Sequence, residues 1–250
     1  RDGVGAYIGD EERKLHPPFI LFPNVCHYIK SLEDSAKIAS RLGYLKKARY
    51  LHSEAEISRE RLDELCWMEG EQYYASLVDK NGPIKFISCD PIDGLFCGVL
   101  RPDRARLVVQ RLMEPDMLTR RYGLRTRSSN SPKYTEEGFE AYQNGANSPN
   151  RNTKAALGMI QYGFIPEAKV VIEGCENYIE QRGFSELAIC TKGAEDLVDY
   201  RENGVPKALK IQSWFLYGYL GVSAWVLRQT NWANQVSARE VVSSLVPLTT

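Results

Sequence analysis

This 250-residue sequence lacks several things that would direct a function at once. It has only three histidines, and its six cysteines, Cys26, Cys66, Cys89, Cys97, Cys175 and Cys190, form no C-x-x-C pair. Little is left from which a zinc or iron–sulfur site could be built, so no metal and no cofactor are expected. Free thiols in a reducing compartment are favoured over a disulfide framework, because Cys26 and Cys175 fall on apolar faces of predicted helices. No apolar run approaches the roughly 20 residues that span a bilayer, and the N-terminus shows no basic-then-apolar leader. The expectation is a cytoplasmic protein. An excess of charge of one sign is missing too: 32 basic and 32 acidic residues give a formal net charge of zero. That argues against nucleic acid or a membrane as partner and for a neutral one.

What remains is the composition of an ordinary globular chain, 43% apolar and 26% charged, and a length suited to one core, so residues 1–250 read as a single domain. From Val25, the apolar positions Tyr28, Ile29, Leu32, Ala36, Ala39 and Leu42 recur at helical spacing until Gly43. A second helix is predicted from about Lys46 to Trp67. Pro102 opens a third, with Ala105, Val108, Val109, Leu112 and Met113 on one face, and Pro166 opens a similar one through Ala168, Val171, Ile172, Cys175 and Ile179. Leu209 to Leu227 is apolar over most of its circumference, as an inner helix would be. Strand signals around Tyr73–Val78 and Ile84–Ile87 are weak, so the fold class is all-α.

Two long connections, from about Glu114 to Asn150 and from about Gly183 to Lys207, carry no helical period. Loops of that length in a compact domain tend to be functional. They are rich in aromatics, amides and carboxylates, the groups with which a protein grips sugar hydroxyls and ring faces and moves protons.

The order of motifs adds a resemblance. Leu107 to Leu118 with its Pro115-Asp116-Met117 turn, Tyr122-Gly-Leu-Arg-Thr-Arg-Ser128, Tyr142-Gln-Asn-Gly145, Pro149, Asn152 and Ala155 to Phe164 follow one another. They are similar to the successive motifs of the amylo-1,6-glucosidase module of glycogen-debranching enzymes and its relatives, which include mannosylglycerate hydrolases. Phe184-Ser-Glu-Leu187 resembles that family's P-E-L segment, Ile211-Gln-Ser-Trp214 its Q-A-W segment, and Trp67 with Tyr73 to Asp79 an upstream aromatic motif. The resemblance implies an (α/α) toroid of alternating inner and outer helices and an inverting α-glycosidase with a carbohydrate substrate. In such an enzyme an acid protonates the leaving oxygen and a base activates water, the two about 6.5–9.5 Å apart. It assigns the base to Glu186 and the acid to Asp2, 22 positions before Asn24. Arg125, Tyr142, Asn144, Arg151, Asn152, Gln212 and Trp214 fall at substrate-binding positions. Trp67 reads as core, and Asp79 beside Asn81-Gly82 as turn chemistry.

Three departures fall within the site itself. Ser148 stands where the family has tryptophan, Arg151 where it has aspartate, and Asn24 where it has glutamate. An arginine reverses the hydrogen-bond sense toward sugar hydroxyls but suits a carboxylate, so Arg151 fits either a charged glycoside such as a glycosyl-glycerate or a site that binds without turnover. An epimerase, lyase or helical scaffold on the same toroid is a further alternative, although His16, His27 and His52 lie away from the long loops. A full toroid needs roughly 300 residues or more, and about seven or eight helical segments are legible here. The front of the barrel is therefore expected to be missing, supplied by a preceding segment or a partner chain.

Overall fold

The structure is a computed structural model that describes residues 9–10, 14–119, 121–138, 140–193, 195–202, 205–206 and 221. It is built from helical hairpins joined by short antiparallel ribbons. Strand β1 (Ile20–Leu21) leads into α1 (Phe22–Arg41), and α2 (Leu45–Cys66) folds back along it. The ribbon β2 (Trp67–Met68) and β3 (Tyr73–Tyr74) follows, then β4 (Leu77–Asp79) and β5 (Gly82–Pro83). The short helix α3 (Ile92–Cys97) and α4 (Pro102–Leu112) come next. After β6 (Leu118–Thr119), β7 (Gly123–Leu124) and the single turn α5 (Ala141–Asn144) come α6 (Pro149–Gln161) and α7 (Ile165–Arg182). The short strands β8 (Ala188–Cys190), β9 (Leu197–Asp199), β10 (Arg201–Glu202) and β11 (Val205–Pro206) complete the described elements.

Four long helices, α1, α4, α6 and α7, carry proline in the first turn, where its missing N–H has no intrahelical partner to lose. Helix α1 ends where Leu42 caps Ile38 O and Gly43 takes φ +82°, a conformation that suits a residue without Cβ. The burial pattern separates two rings. Helix α6 buries Pro149, Asn152, Thr153, Ala155, Ala156, Gly158 and Met159, whereas α2, longer by nine residues (22 against 13), buries only Ala55, Leu62 and Cys66. Helices α1, α3 and α6 lie side by side as inner elements, with α2 backing α1 and α7 backing α6. Gly158 permits the α3–α6 contact: a Cβ there would lie 2.7 Å from Leu95 Cβ and from Phe96 N.

One large core unites Phe22, Cys26, Ile29, Tyr73, Tyr74, Ile92, Leu95, Val108, Leu112, Met159 and Val171. Each fully buried side chain of this size contributes about 1.5–3 kcal/mol relative to exposure. All six cysteines are buried and free, as the apolar-face positions of Cys26 and Cys175 suggested. Burial pushes the thiols up, Cys66 to about 12 and Cys97 to about 11, so they stay protonated. Trp67 is half-buried at the edge of the core, packed T-shaped against Tyr74 with Arg104 over its ring. Asp79 behaves as turn chemistry, accepting from Asn81 N at 2.8 Å and His16 N at 3.1 Å.

The weak strand signals gave too little: strands of two or three residues recur along the chain, too short to show a period of two. The two connections without helical periodicity also carry structure, β6, β7 and α5 in the first and β8 to β11 in the second. The expected apolar helix from Leu209 to Leu227 falls almost wholly outside the described residues.

Candidate active site

Four chain segments meet in a narrow set of bridges that forms the floor of the candidate site. Ser88 pairs with Arg127, Arg125 with Asn147, and Asn147 with Ala188. Thr126 N donates to Ala146 O at 2.9 Å, Cys89 N to Thr126 O at 3.0 Å, and Asn147 N to Ala188 O at 2.8 Å. These backbone bonds fix the segments that carry Asp90, Tyr142 and Glu186, Tyr142 on the helical turn α5 and the other two on loops. Side-chain amides stiffen the floor from beneath. Asn147 Nδ2 donates to the carbonyls of Tyr122, Gly123 and Leu124, and Asn152 Oδ1 accepts from Leu124 N at 2.6 Å while its Nδ2 donates to Ser148 O at 3.0 Å. Below them Asp116 holds Arg111 with both oxygens, at 2.8 and 2.7 Å, and accepts from Ser128 Oγ.

On this floor α5 acts as a hub, because three consecutive residues each hold a charged side chain. Tyr142 Oη donates to Glu186 Oε1 at 2.9 Å. Gln143 Oε1 accepts from Arg151 Nη2 at 3.3 Å. Asn144 Oδ1 accepts from Arg127 Nη1 at 2.7 Å. Glu186 is half-buried, and the Tyr142 ring meets Tyr200 edge-on at 6.0 Å. A carboxylate so fixed, open to solvent on one side and gripped by a phenol on the other, can position and deprotonate a water.

Three arginines lie on the neighbouring segments, two of them held by α5. Arg127 is fully buried, lies over Phe86, and donates to Ser131 Oγ, Asn144 Oδ1 and Asp10 Oδ1 at 2.7 Å each. Burial lowers its pKa, and Asp10 acts in the opposite direction. Arg151 forms an ion pair with Asp90. Burial opposes its charge, but Cys89 and Asp90 outweigh that and hold its pKa well above the ordinary value. Arg125 is buried with its Nε unpaired and its Nη2 3.9 Å from Glu195. One helical turn below Asp90, Asp93 Oδ1 accepts from Lys154 Nζ at 3.1 Å and meets His27 Nε2 at 3.0 Å. Two polar layers thus cross the inner helices, with Asp90 and Arg151 above Asp93 and Lys154.

Residues 23–200 match the mannosylglycerate hydrolase MGH1-like glycoside hydrolase domain. The chain belongs to that family. A comparison with curated protein sequences finds no match. Among solved structures, the GH63 mannosylglycerate hydrolase from Thermus thermophilus in complex with Tris and D-glycerate is 20% identical, with a TM-score of 0.61 over 82% of this chain and 45% of that chain. The neutral trehalase from Saccharomyces cerevisiae is 11% identical, with a TM-score of 0.60 over 83% of this chain and 38% of that one. A sialidase is 12% identical, with a TM-score of 0.64 over 85% and 20% of the two chains. At such identities the likeness is one of fold, the helical-hairpin toroid. The chain spans less than half the length of these structures.

Within this MGH1-like domain, the structure brings Glu186, Tyr142, Asn144 and Arg151 together around α5. Arg125 and Asn152 are buried in the floor, where Asn152 binds the backbone of Leu124 and Ser148 and Arg125 Nη1 reaches Pro115 O at 3.5 Å. Asp2, Gln212 and Trp214 fall outside the described residues. Sequence reasoning missed Asp10, Asp90, Asp93, Arg127 and Lys154. A signal existed for Arg127: it stands two residues after Arg125, on the same side of an extended segment. The spacing of Asp90 to Asp93 and of Arg151 to Lys154, each three residues, was also legible as one helix face.

Proposed function

We propose that this domain carries the base-bearing part of an inverting glycoside hydrolase whose substrate is a small glycoside with a carboxylate in its aglycone, of the glycosyl-glycerate type. The observation that carries the reading is Tyr142 fixing Glu186 from α5 while the next residue, Gln143, steadies Arg151. Glu186 activates water against the anomeric carbon, and Asp2 is the acid that protonates the departing oxygen. Arg151 Nη2, engaged only by a 3.3 Å amide contact, is the donor toward the aglycone carboxylate. Family membership and the likeness to a mannosylglycerate hydrolase support this substrate class over the α-1,6-glucan branch point to which the motif order first pointed.

The test uses the full-length protein with mannosylglycerate, glucosylglycerate and isomaltose as substrates. Hydrolysis of a glycosyl-glycerate is expected, falling about 10²–10⁴-fold in Glu186→Gln with binding retained in calorimetry. Unchanged turnover in Glu186→Gln would remove the assignment of the base. Preference for isomaltose would return the reading to a debranching-type glucosidase. One observation favours a second reading, binding without turnover: Asp90 already occupies Arg151 Nη1, and Ser148 at the start of α6 offers no stacking surface. Glycoside binding by the wild type with no hydrolysis under any condition would establish it.

A further inference from the structure

The neutrality of the whole chain conceals one segment of a single sign. Residues 35–53 contain Lys37, Arg41, Lys46, Lys47 and Arg49 and no aspartate or glutamate. They form the end of the α1–α2 hairpin, where every residue from 40 to 47 is exposed. Lys37 pairs with Asp34 at 3.2 Å, but among the described residues the other four cations have no acidic partner. Apolar side chains stand out between them: Leu42 is 66% exposed, Tyr44 65% and Leu45 59%, with Ile38 and Tyr50 bared beside them. Leaving leucines in water at a turn, flanked by cations, forgoes burial that a neutral surface of the same chain could give.

We propose that this hairpin tip is a docking surface for the anionic face of a lipid bilayer. The charge is complementary, and cations this close to a negatively charged leaflet each strengthen binding. The shape favours a bilayer over an acidic protein. Leu42, Tyr44 and Leu45 are exposed together at the turn of a hairpin, and a bilayer takes up such apolar tips at the headgroup boundary. Tyrosine rings suit that boundary, and the stems of Lys46, Lys47 and Arg49 reach along it with their charges outward. The association is peripheral, since no described helix is long and apolar enough to cross a membrane. The geometry also leaves the candidate site open. Helix α1 ends at Arg41, 14 residues past His27, so about 21 Å of helix separates the tip from the His27–Asp93 contact near the site.

The experiment is sedimentation of the full-length protein with phosphatidylcholine vesicles, with and without phosphatidylserine, at low and high salt. Two double variants are compared, Lys46→Gln with Lys47→Gln and Leu42→Ser with Leu45→Ser, each checked by circular dichroism for an unchanged helix signal. Binding is expected only with phosphatidylserine, weakened by salt, lowered roughly 30-fold by loss of the two lysines and lowered at least severalfold by loss of the leucines. Equal binding to both vesicle types, no binding, or insensitivity to either variant overturns the proposal. Retention on polyglutamate without binding to vesicles overturns it in favour of an acidic protein partner.

Discussion

Removing the buried guanidinium of Arg127 should destabilise the domain more than any change to its exposed ion pairs. Arg127 is the largest side chain in the structure with no exposure, and its three bonds join segments far apart in sequence: Asp10, the turn at Ser131, and α5. In Arg127→Met the apolar stem is kept, so packing over Phe86 survives and the loss is mainly polar. Breaking a buried pair by deleting one partner costs about 3–5 kcal/mol. Here the lower end applies, because the Asp10 side chain is 31% exposed and regains water, while Asn144 and Ser131 are left buried with one bond fewer. The expected loss is about 3–4 kcal/mol, a fall in Tm of roughly 6–16 °C for a domain of this size. Urea midpoints and thermal melts measure it, with Arg127→Lys as an intermediate control that keeps the charge but not the fork. A loss below about 1 kcal/mol in Arg127→Met would show that the three bonds only replace equally good ones to water, and would refute the reasoning.

Other expectations separate support from chemistry. Asn152→Ala removes the clamp on Leu124 and Ser148 and should cost about 2–3 kcal/mol in urea unfolding, while KM for any glycoside stays unchanged; a raised KM at wild-type stability would restore Asn152 to the substrate side. Tyr142→Phe deletes the donor to Glu186 Oε1 and should lower kcat/KM about tenfold with Tm almost unmoved, read by steady-state kinetics and melting. Burial would raise the pKa of Asp116, but the bonds from Arg111 and Ser128 outweigh it and hold the carboxyl below its usual range. Its folded value is thus depressed, so its contribution is complete above about pH 4, the unfolded value, and is lost as pH falls through the folded one. Melting temperature should therefore fall more steeply below about pH 4 in the wild type than in Asp116→Asn, and parallel curves would rule this out.

The helical part of the fold was legible because the long helices bury one face at a regular spacing. The predicted starts at Pro102 and Pro166 and the stop at Gly43 lie within a residue or so of the observed limits. The ribbons were not legible, since a two-residue strand such as β6 or β7 has no period, and what fixes it is a distant amide, Asn152, 28 residues along the chain. The same reason divides the site. Tyr142 and Glu186 could be named from local motifs, and they do meet across 44 residues. The use made of Arg125 and Asn152 could not, because an amide that binds sugar and one that binds backbone are the same residue until burial separates them. Net charge is limited in a related way, since a sum of zero says nothing about the acid-free stretch from 35 to 53.

Arg151 tests most directly whether the site's departures from its family are damage or redesign. An arginine placed in a half-buried position without compensation would be expelled or would destabilise α6, since an unpaired buried charge costs several kcal/mol. The structure supplies that compensation. Asp90 supplies the opposite charge from another helical hairpin, Cys89 lies beside it, and Gln143 takes the second guanidinium nitrogen. Directly below, Asp93 and Lys154 repeat the same acid–base pairing between the same two inner helices. Drift that merely removes a catalytic acceptor does not also provide partners on two other segments. Such partners are what a site built around a fixed cation would need, and a cation of that kind has a use when the ligand carries a negative charge of its own.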